Sequence, residues 1–113
     1  MKDLAPSILR QRLVIEGIPR HPIDALQISE YLNKLGFALN MRVLNKPVTH
    51  NSEKFGWAGW VHWESSGAHF YAWTSPMLFF SVDIYTCKAF DVEQAVGFTQ
   101  SFFEPDVIEY KSF

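Results

Sequence analysis

The sequence is poor in several residue types that usually give a function class away. Cys87 is the one cysteine among 113 residues, so no internal disulfide can form, and no Cys/His ligand spacing surrounds it. A disulfide-stapled scaffold and a zinc module are both excluded. No metal is expected, and a reducing cytoplasm is the expected location. Ten Lys and Arg stand against 12 Asp and Glu, giving a formal net charge of -2 and a pI near 6.0. A protein that tracks a phosphate backbone needs clustered positive charge, so no nucleic-acid partner is expected. No stretch approaches the ~18 apolar residues of a membrane span. The amino terminus, Met-Lys-Asp-Leu-Ala-Pro-Ser, lacks the apolar core of a signal peptide. A soluble protein without membrane contact is the expectation.

What the chain does carry is apolar and aromatic mass. Hydrophobic residues make up 48% and aromatic ones 16%, with four Trp and ten Phe, most of them after Phe55. The length fits one domain over residues 1–113. A chain this small buries only about two-thirds of its unfolded surface, so self-association as a homodimer is expected.

Periodicity predicts the elements. Arg12 to Ile18, with Leu13, Val14 and Ile15, reads as a buried strand that Pro19 ends. Ala25, Ile28, Leu32 and Leu35 recur at helical spacing, predicting a helix over Ile23–Leu35 with Gly36 as its left-handed cap. Phe37, Leu39, Met41 and Val43 alternate with Ala38, Asn40 and Arg42, the pattern of a second strand. Lys46 to Lys54 is polar and aperiodic, an expected exposed loop with His50 at the surface.

Trp57–Glu64 and Ala68–Trp73 read as a hairpin joined by Ser65, Ser66 and Gly67. Leu78 to Thr86 is apolar except for Ser81 and Asp83, which predicts a central strand covered on both sides and a buried Asp83 carboxylate. Asp91 and Gln94 resemble a capping box ahead of an apolar stripe of Val92, Ala95, Val96, Phe102 and Phe103, and Pro105 stops that helix. Val107–Phe113 supplies a last strand. The order divides into two similar halves and predicts an α+β two-layer sandwich, a mainly antiparallel sheet with two helices on one face.

Residues 56–76 read Gly-Trp-Ala-Gly-Trp-Val-His-Trp-Glu-Ser-Ser-Gly-Ala-His-Phe-Tyr-Ala-Trp-Thr-Ser-Pro, and residues 81–87 read Ser-Val-Asp-Ile-Tyr-Thr-Cys. In that order the two stretches resemble the prokaryotic S-adenosylmethionine decarboxylases. That family carries a Gly-rich strand, Glu-Ser-His, His-Thr-Trp-Pro-Glu, and then Ala-Val-Asp-Val-Phe-Thr-Cys with a catalytic cysteine. The resemblance extends more weakly to the Leu13–Ile15 strand and the Asp91 helix.

It implies a role in polyamine (spermidine) biosynthesis and a cofactor made from the chain itself. In the family a serine hydroxyl attacks the preceding carbonyl, the resulting ester eliminates, and a pyruvoyl group remains at the new amino terminus. Its carbonyl condenses with the substrate amine and accepts electrons as carbon dioxide leaves. Such chemistry needs no metal; it needs a strained serine, a proton-transfer histidine and a proton donor.

Aligned without a gap from Gly59, Ser66 takes the cleavage position, Ser65 the preceding Glu, Gly67 the following His, and Tyr71 the processing His. Anchored instead on His69, that residue matches the His after the cleavage serine, but Ala68 then replaces the nucleophile and Trp73 the processing His. Neither register restores the full set, so impaired processing is expected. The resemblance thus implies a pyruvoyl from Ser66 if the chain is cut and no cofactor otherwise. Ser66, Cys87, His69 and Tyr71 are the catalytic candidates. Glu64, Trp73 and Asp83 are candidates for binding S-adenosylmethionine or a similar small molecule.

Plainer readings stand beside these. A lone Cys87 is most often a buried structural thiol, and Ser66 in Ser-Ser-Gly is an ordinary turn residue. His69, Tyr71 and Trp73 share one strand face that lines a ligand site or packs on a helix or partner. A second function follows from the departures: an unprocessed homologue that binds a nucleoside or amino-acid ligand, or an active decarboxylase subunit. A single-strand nucleic-acid binder using the aromatic face lacks the basic flanks it needs.

Overall fold

The computed structural model describes residues 1–113. Alternation places Leu13 and Ile15 inward on β1 (Gln11–Ile18), and both are fully buried. Helix α1 (Ala25–Ala38) starts at Asp24, whose carboxylate accepts from the Gln27 amide while the Gln27 side chain accepts from the Asp24 amide. That reciprocal box satisfies two otherwise orphaned donors. Ile28, Tyr31, Leu32, Leu35 and Gly36 form its buried stripe.

The helix outruns its predicted end. Gly36 lies inside it, where a Cβ would come within 2.8 Å of Val43 Cγ2 and 3.0 Å of Trp63 Nε1. Close packing on Val43 and Trp63, rather than a left-handed turn, therefore selects glycine there. Termination falls on Asn40, at φ 57°. The Asn40 amide donates to Phe37 O and the Met41 amide to Gly36 O, the paired bonds of a Schellman motif.

The predicted strand Phe37–Val43 is thus absent, apart from an isolated bridge from Val43 to Trp63. Leu39 is buried because it continues the Leu35 stripe one turn on, not because a period-2 face is packed. The missing strand is found in the expected loop instead, as β2 (Val48–Ser52). It lies at the sheet edge with its residues half-buried or exposed, so no apolar alternation marks it.

Strands β3 (Gly56–Trp63), β4 (Ser66–Trp73), β5 (Phe79–Thr86) and β6 (Val107–Ser112) complete a six-stranded sheet of order β2-β3-β4-β5-β1-β6. Every pairing is antiparallel. Helix α2 (Val92–Phe103) is capped by Asp91, which accepts from the Glu93 and Gln94 amides. The box stays half-made because the Gln94 side chain donates instead to Ala38 O, at the end of α1.

Both helices cover one sheet face. Tyr31 of α1 sits among Phe98, Phe102 and Phe103 of α2 and Phe70 of β4, with ring centroids 4.9–5.6 Å apart. The Thr99 hydroxyl donates to Ala95 O, which leaves its oxygen to accept from the Tyr31 hydroxyl at 2.7 Å. Burial pushes the Tyr31 phenol well above its ordinary range.

The opposite face has no helix over it, so β5 is covered on one side only. Asp83 lies on that open face, half-buried rather than buried. The architecture is the expected α+β two-layer sandwich. No helix is long and apolar enough to cross a membrane.

Asn40→Ala is expected to lower stability by about 1 kcal/mol, because a Cβ without a local hydrogen-bonding side chain is disfavoured at positive φ, while Asn40→Gly is not destabilising. Urea midpoints of the two variants check this. Equal losses in both would place the helix end elsewhere.

Candidate functional site

The β3–β4 hairpin turns on two residues, Glu64 and Ser65, since Trp63 pairs with Ser66. The turn therefore lies one residue earlier than expected, and Ser66 and Gly67 belong to the strand. Two-residue hairpin loops normally hold positive φ inside the turn. Here neither turn residue has it, and Ser66 carries φ 145° instead. A side chain in that region costs about 1–3 kcal/mol.

Register brings a second residue to this point. Ser66 pairs with Thr86 across β4 and β5, so the next residue, Cys87, reaches over the turn. Its amide donates to the Ser65 carbonyl at 2.8 Å and also to Ser66 Oγ at 3.1 Å. One N–H thus holds both the hydroxyl of Ser66 and the carbonyl before it. The Cys87 side chain is exposed, so the buried-thiol reading does not apply. Ser65 Oγ is tied to Met41 Sδ at 3.1 Å.

His69 stands on the open face, opposite Trp60 on one side and Asp83 on the other. Asp83 takes both of its carboxylate oxygens to Arg12, at 3.0 and 2.8 Å. That hydrogen bond holds the Arg12 guanidinium above its ordinary range. Tyr71 and Trp73 follow on the same face, Tyr71 42% exposed, with ring centroids 6.1 Å apart. The helix-packing reading of this face fails, because both helices lie behind the sheet.

The seven candidates do not form one group. At roughly 3.4 Å per residue, Tyr71 lies about 17 Å along β4 from Ser66 and Trp73 lies further. Trp73 borders an apolar cleft with Phe55, Trp57 and Tyr71 at that far end. Glu64 turns outward on the hairpin to Arg42 at 3.2 Å. Ser66 and Cys87 meet at one end, His69 shares an open cavity with Ser66 three residues along β4, Asp83 adjoins His69, and Tyr71 and Trp73 lie away from Ser66.

Sequence reasoning missed His62. It pairs with Gly67 and, with Ser66, Gly67, His69 and Tyr85, lines an open cavity of about 250 Å³. The signal was present: a two-residue turn at Glu64 and Ser65 puts His62 opposite Gly67. No group of three or more His, Cys, Asp or Glu side chains is placed to hold a metal ion.

A family model described as S-adenosylmethionine decarboxylase matches residues 16–113. The crystal structure of the adenosylmethionine decarboxylase from Aquifex aeolicus VF5 superposes with a TM-score of 0.70 at 18% identity, covering 94% of this chain and 89% of that one. At that identity the likeness speaks for the fold. No curated protein sequence matches.

Ser66→Gly and Ser66→Ala both remove the hydroxyl, but only alanine keeps a Cβ at positive φ. The glycine variant is expected to be the more stable by about 1–3 kcal/mol in denaturant unfolding. Equal stabilities would mean that Ser66 carries no backbone strain.

Proposed function

The chain belongs to the S-adenosylmethionine decarboxylase family, and on that premise we propose that it is a polyamine-pathway decarboxylase of the cytoplasm that cuts itself slowly between Ser65 and Ser66. The substrate is S-adenosylmethionine or a related amino acid. The observation that carries the reading is the Cys87 amide on both the Ser65 carbonyl and Ser66 Oγ.

Ester formation needs the Ser66 hydroxyl near the Ser65 carbonyl carbon and a donor on the carbonyl oxygen as it gains charge. The Cys87 amide holds both groups and supplies that donor, an arrangement of the oxyanion-hole kind. Attack forms the Oγ–C bond and breaks the C–N bond, the hydroxyl proton passing to the released amine. Relief of the positive φ at Ser66 favours this step. These residues therefore fit a pyruvoyl made in place. Once formed, that group supplies an electrophilic carbonyl that takes up the substrate amine and accepts the electrons released with carbon dioxide. The exposed Cys87 thiol then serves as proton donor.

The slow step is elimination of the ester. It removes the Ser66 Cα proton, and general base help of this kind contributes about 10²–10⁴ in rate. Tyr71 stands where the family carries its processing histidine, and it is too far along β4 to reach Ser66 in its own subunit. The open face carries Trp60, Tyr71, Trp73 and Tyr85, an aromatic surface of the sort that marks an association site. We assign it to a homodimer in which two such faces stack, bringing Tyr71 of a second copy toward Ser66. Asp83 and Trp73 are the substrate-contacting candidates on that face, whereas Glu64 is drawn away by Arg42.

One observation favours the second reading, an unprocessed homologue that binds a ligand or an active decarboxylase subunit. A Cβ at Gly67 would lie 2.3 Å from Val61 O, so this backbone excludes the motif histidine there.

Mass spectrometry of the purified chain over days is expected to show fragments 1–65 and 66–113 accumulating at the expense of the intact chain. A permanently intact chain that still binds S-adenosylmethionine in calorimetry would establish the second reading instead. Cys87→Ser is expected to cut like the wild type, since its backbone amide is the contact, yet to release no carbon dioxide from S-adenosylmethionine. Loss of cutting in that variant would move the thiol into the processing step.

A further inference from the structure

We propose that His62 is the base that removes the Ser66 Cα proton, standing across the strand pair and taking over the step of the processing histidine, whose position Tyr71 occupies. The inference rests on the self-cleavage reading above and adds the residue that performs its second step.

Three observations converge on His62. It is the direct cross-strand partner of Gly67, the residue after Ser66. A Cβ on Gly67 would lie 3.4 Å from His62 Cδ2, so the imidazole occupies the space beside the missing side chain. It borders, with Ser66 itself, the open cavity of about 250 Å³ at the hairpin end. The backbone also keeps the space beside Ser66 clear for the imidazole. Because Val61 O closes on Gly67, position 67 cannot carry a side chain, and the facing position on β3 can.

The imidazole is also held. Trp60, two residues earlier on the same face, lies against it with ring centroids 4.7 Å apart at 43°. This makes Trp60 a positioning residue for His62. Imidazole is the side chain that accepts and returns protons near neutral pH, and the cavity of about 250 Å³ has room for the water that the reaction consumes.

In the elimination the Ser66 Cα–H bond breaks and its proton passes to His62. The released electron pair forms the Cα=Cβ bond, and the Cβ–Oγ bond breaks with its pair leaving on the Ser65 carboxylate. The resulting dehydroalanine tautomerises to an imine, which one water hydrolyses to the pyruvoyl with release of ammonia.

Hydroxylamine separates the two steps, because it cleaves the ester and leaves a hydroxamate on Ser65 and a free amine on Ser66. Full-length wild type, His62→Asn, His62→Gln and His62→Gly are followed by intact mass with and without hydroxylamine. The expected result is a fall of about 10²–10⁴ in the rate of pyruvoyl-ended fragment in all three variants. Hydroxylamine cleavage persists between Ser65 and Ser66, and added imidazole restores elimination in His62→Gly. Elimination at the wild-type rate in the variants overturns the role of His62 and leaves self-cleavage standing. Parallel loss of hydroxylamine cleavage in all three variants reduces His62 to a structural residue and also overturns it. A wild-type chain that stays intact under both treatments overturns the self-cleavage reading and this inference with it.

Discussion

The backbone amide of Cys87 is the contact on which the site depends. It joins the end of β5 to the β3–β4 turn through the Ser65 carbonyl and Ser66 Oγ. Without that bond the turn could relax, and the positive φ of Ser66 would have nothing to hold it. The pairing of Ser66 with both Trp63 and Thr86 explains why the amide arrives there. Trp63, Ala68, Val82 and Ile84 are all buried, so a shift of register would turn core side chains to the open face. Packing thus fixes a strained serine that local preference would not choose.

The same sheet divides the labour of its two faces. Behind it, α1 and α2 enclose Tyr31, Phe70 and Phe80 in an aromatic core. In front, Trp60, His62, His69, Tyr71 and Asp83 stand without a covering layer. The Arg12–Asp83 pair on that face is partly exposed, with side-chain accessibilities of 45% and 31%, so water screens it and it adds little to stability. Stacking a second sheet over it, as proposed, would make its bidentate geometry count for more.

Most of the fold was legible because burial imposes period. The strands β1, β3, β4 and β5 and both helices follow from it, whereas β6, with only Ile108 half-buried, was readable from the alternation of Ile108 and Tyr110 with Glu109 and Lys111. The failures came where burial is one-sided or absent. Phe37 to Val43 alternates by accident: Leu39 is buried as part of the helical stripe, Phe37 is exposed, and the stop signal was Asn40 rather than Gly36. Strand β2 is an edge whose exposed residues carry no alternation. Of the site, Ser66 and Cys87 could be singled out through family resemblance, but their contact is a backbone bond that no side-chain pattern encodes. Glu64 was a binding candidate as a carboxylate beside the cleavage motif, and its salt bridge to Arg42, from a distant part of the chain, has no signal in the hairpin's own sequence. His62 was not singled out because the turn was placed one residue too late, which hid its pairing with Gly67.

The central claim is that Ser66 is held strained against a polarised carbonyl so that the chain opens there. A high-resolution crystal structure of the freshly purified protein tests it most directly. The account predicts either a break between Ser65 and Ser66 or, in uncut molecules, a positive φ at Ser66 with the Cys87 amide on the Ser65 carbonyl. Continuous backbone with Ser66 at ordinary negative φ and the Cys87 amide bonded elsewhere would contradict it.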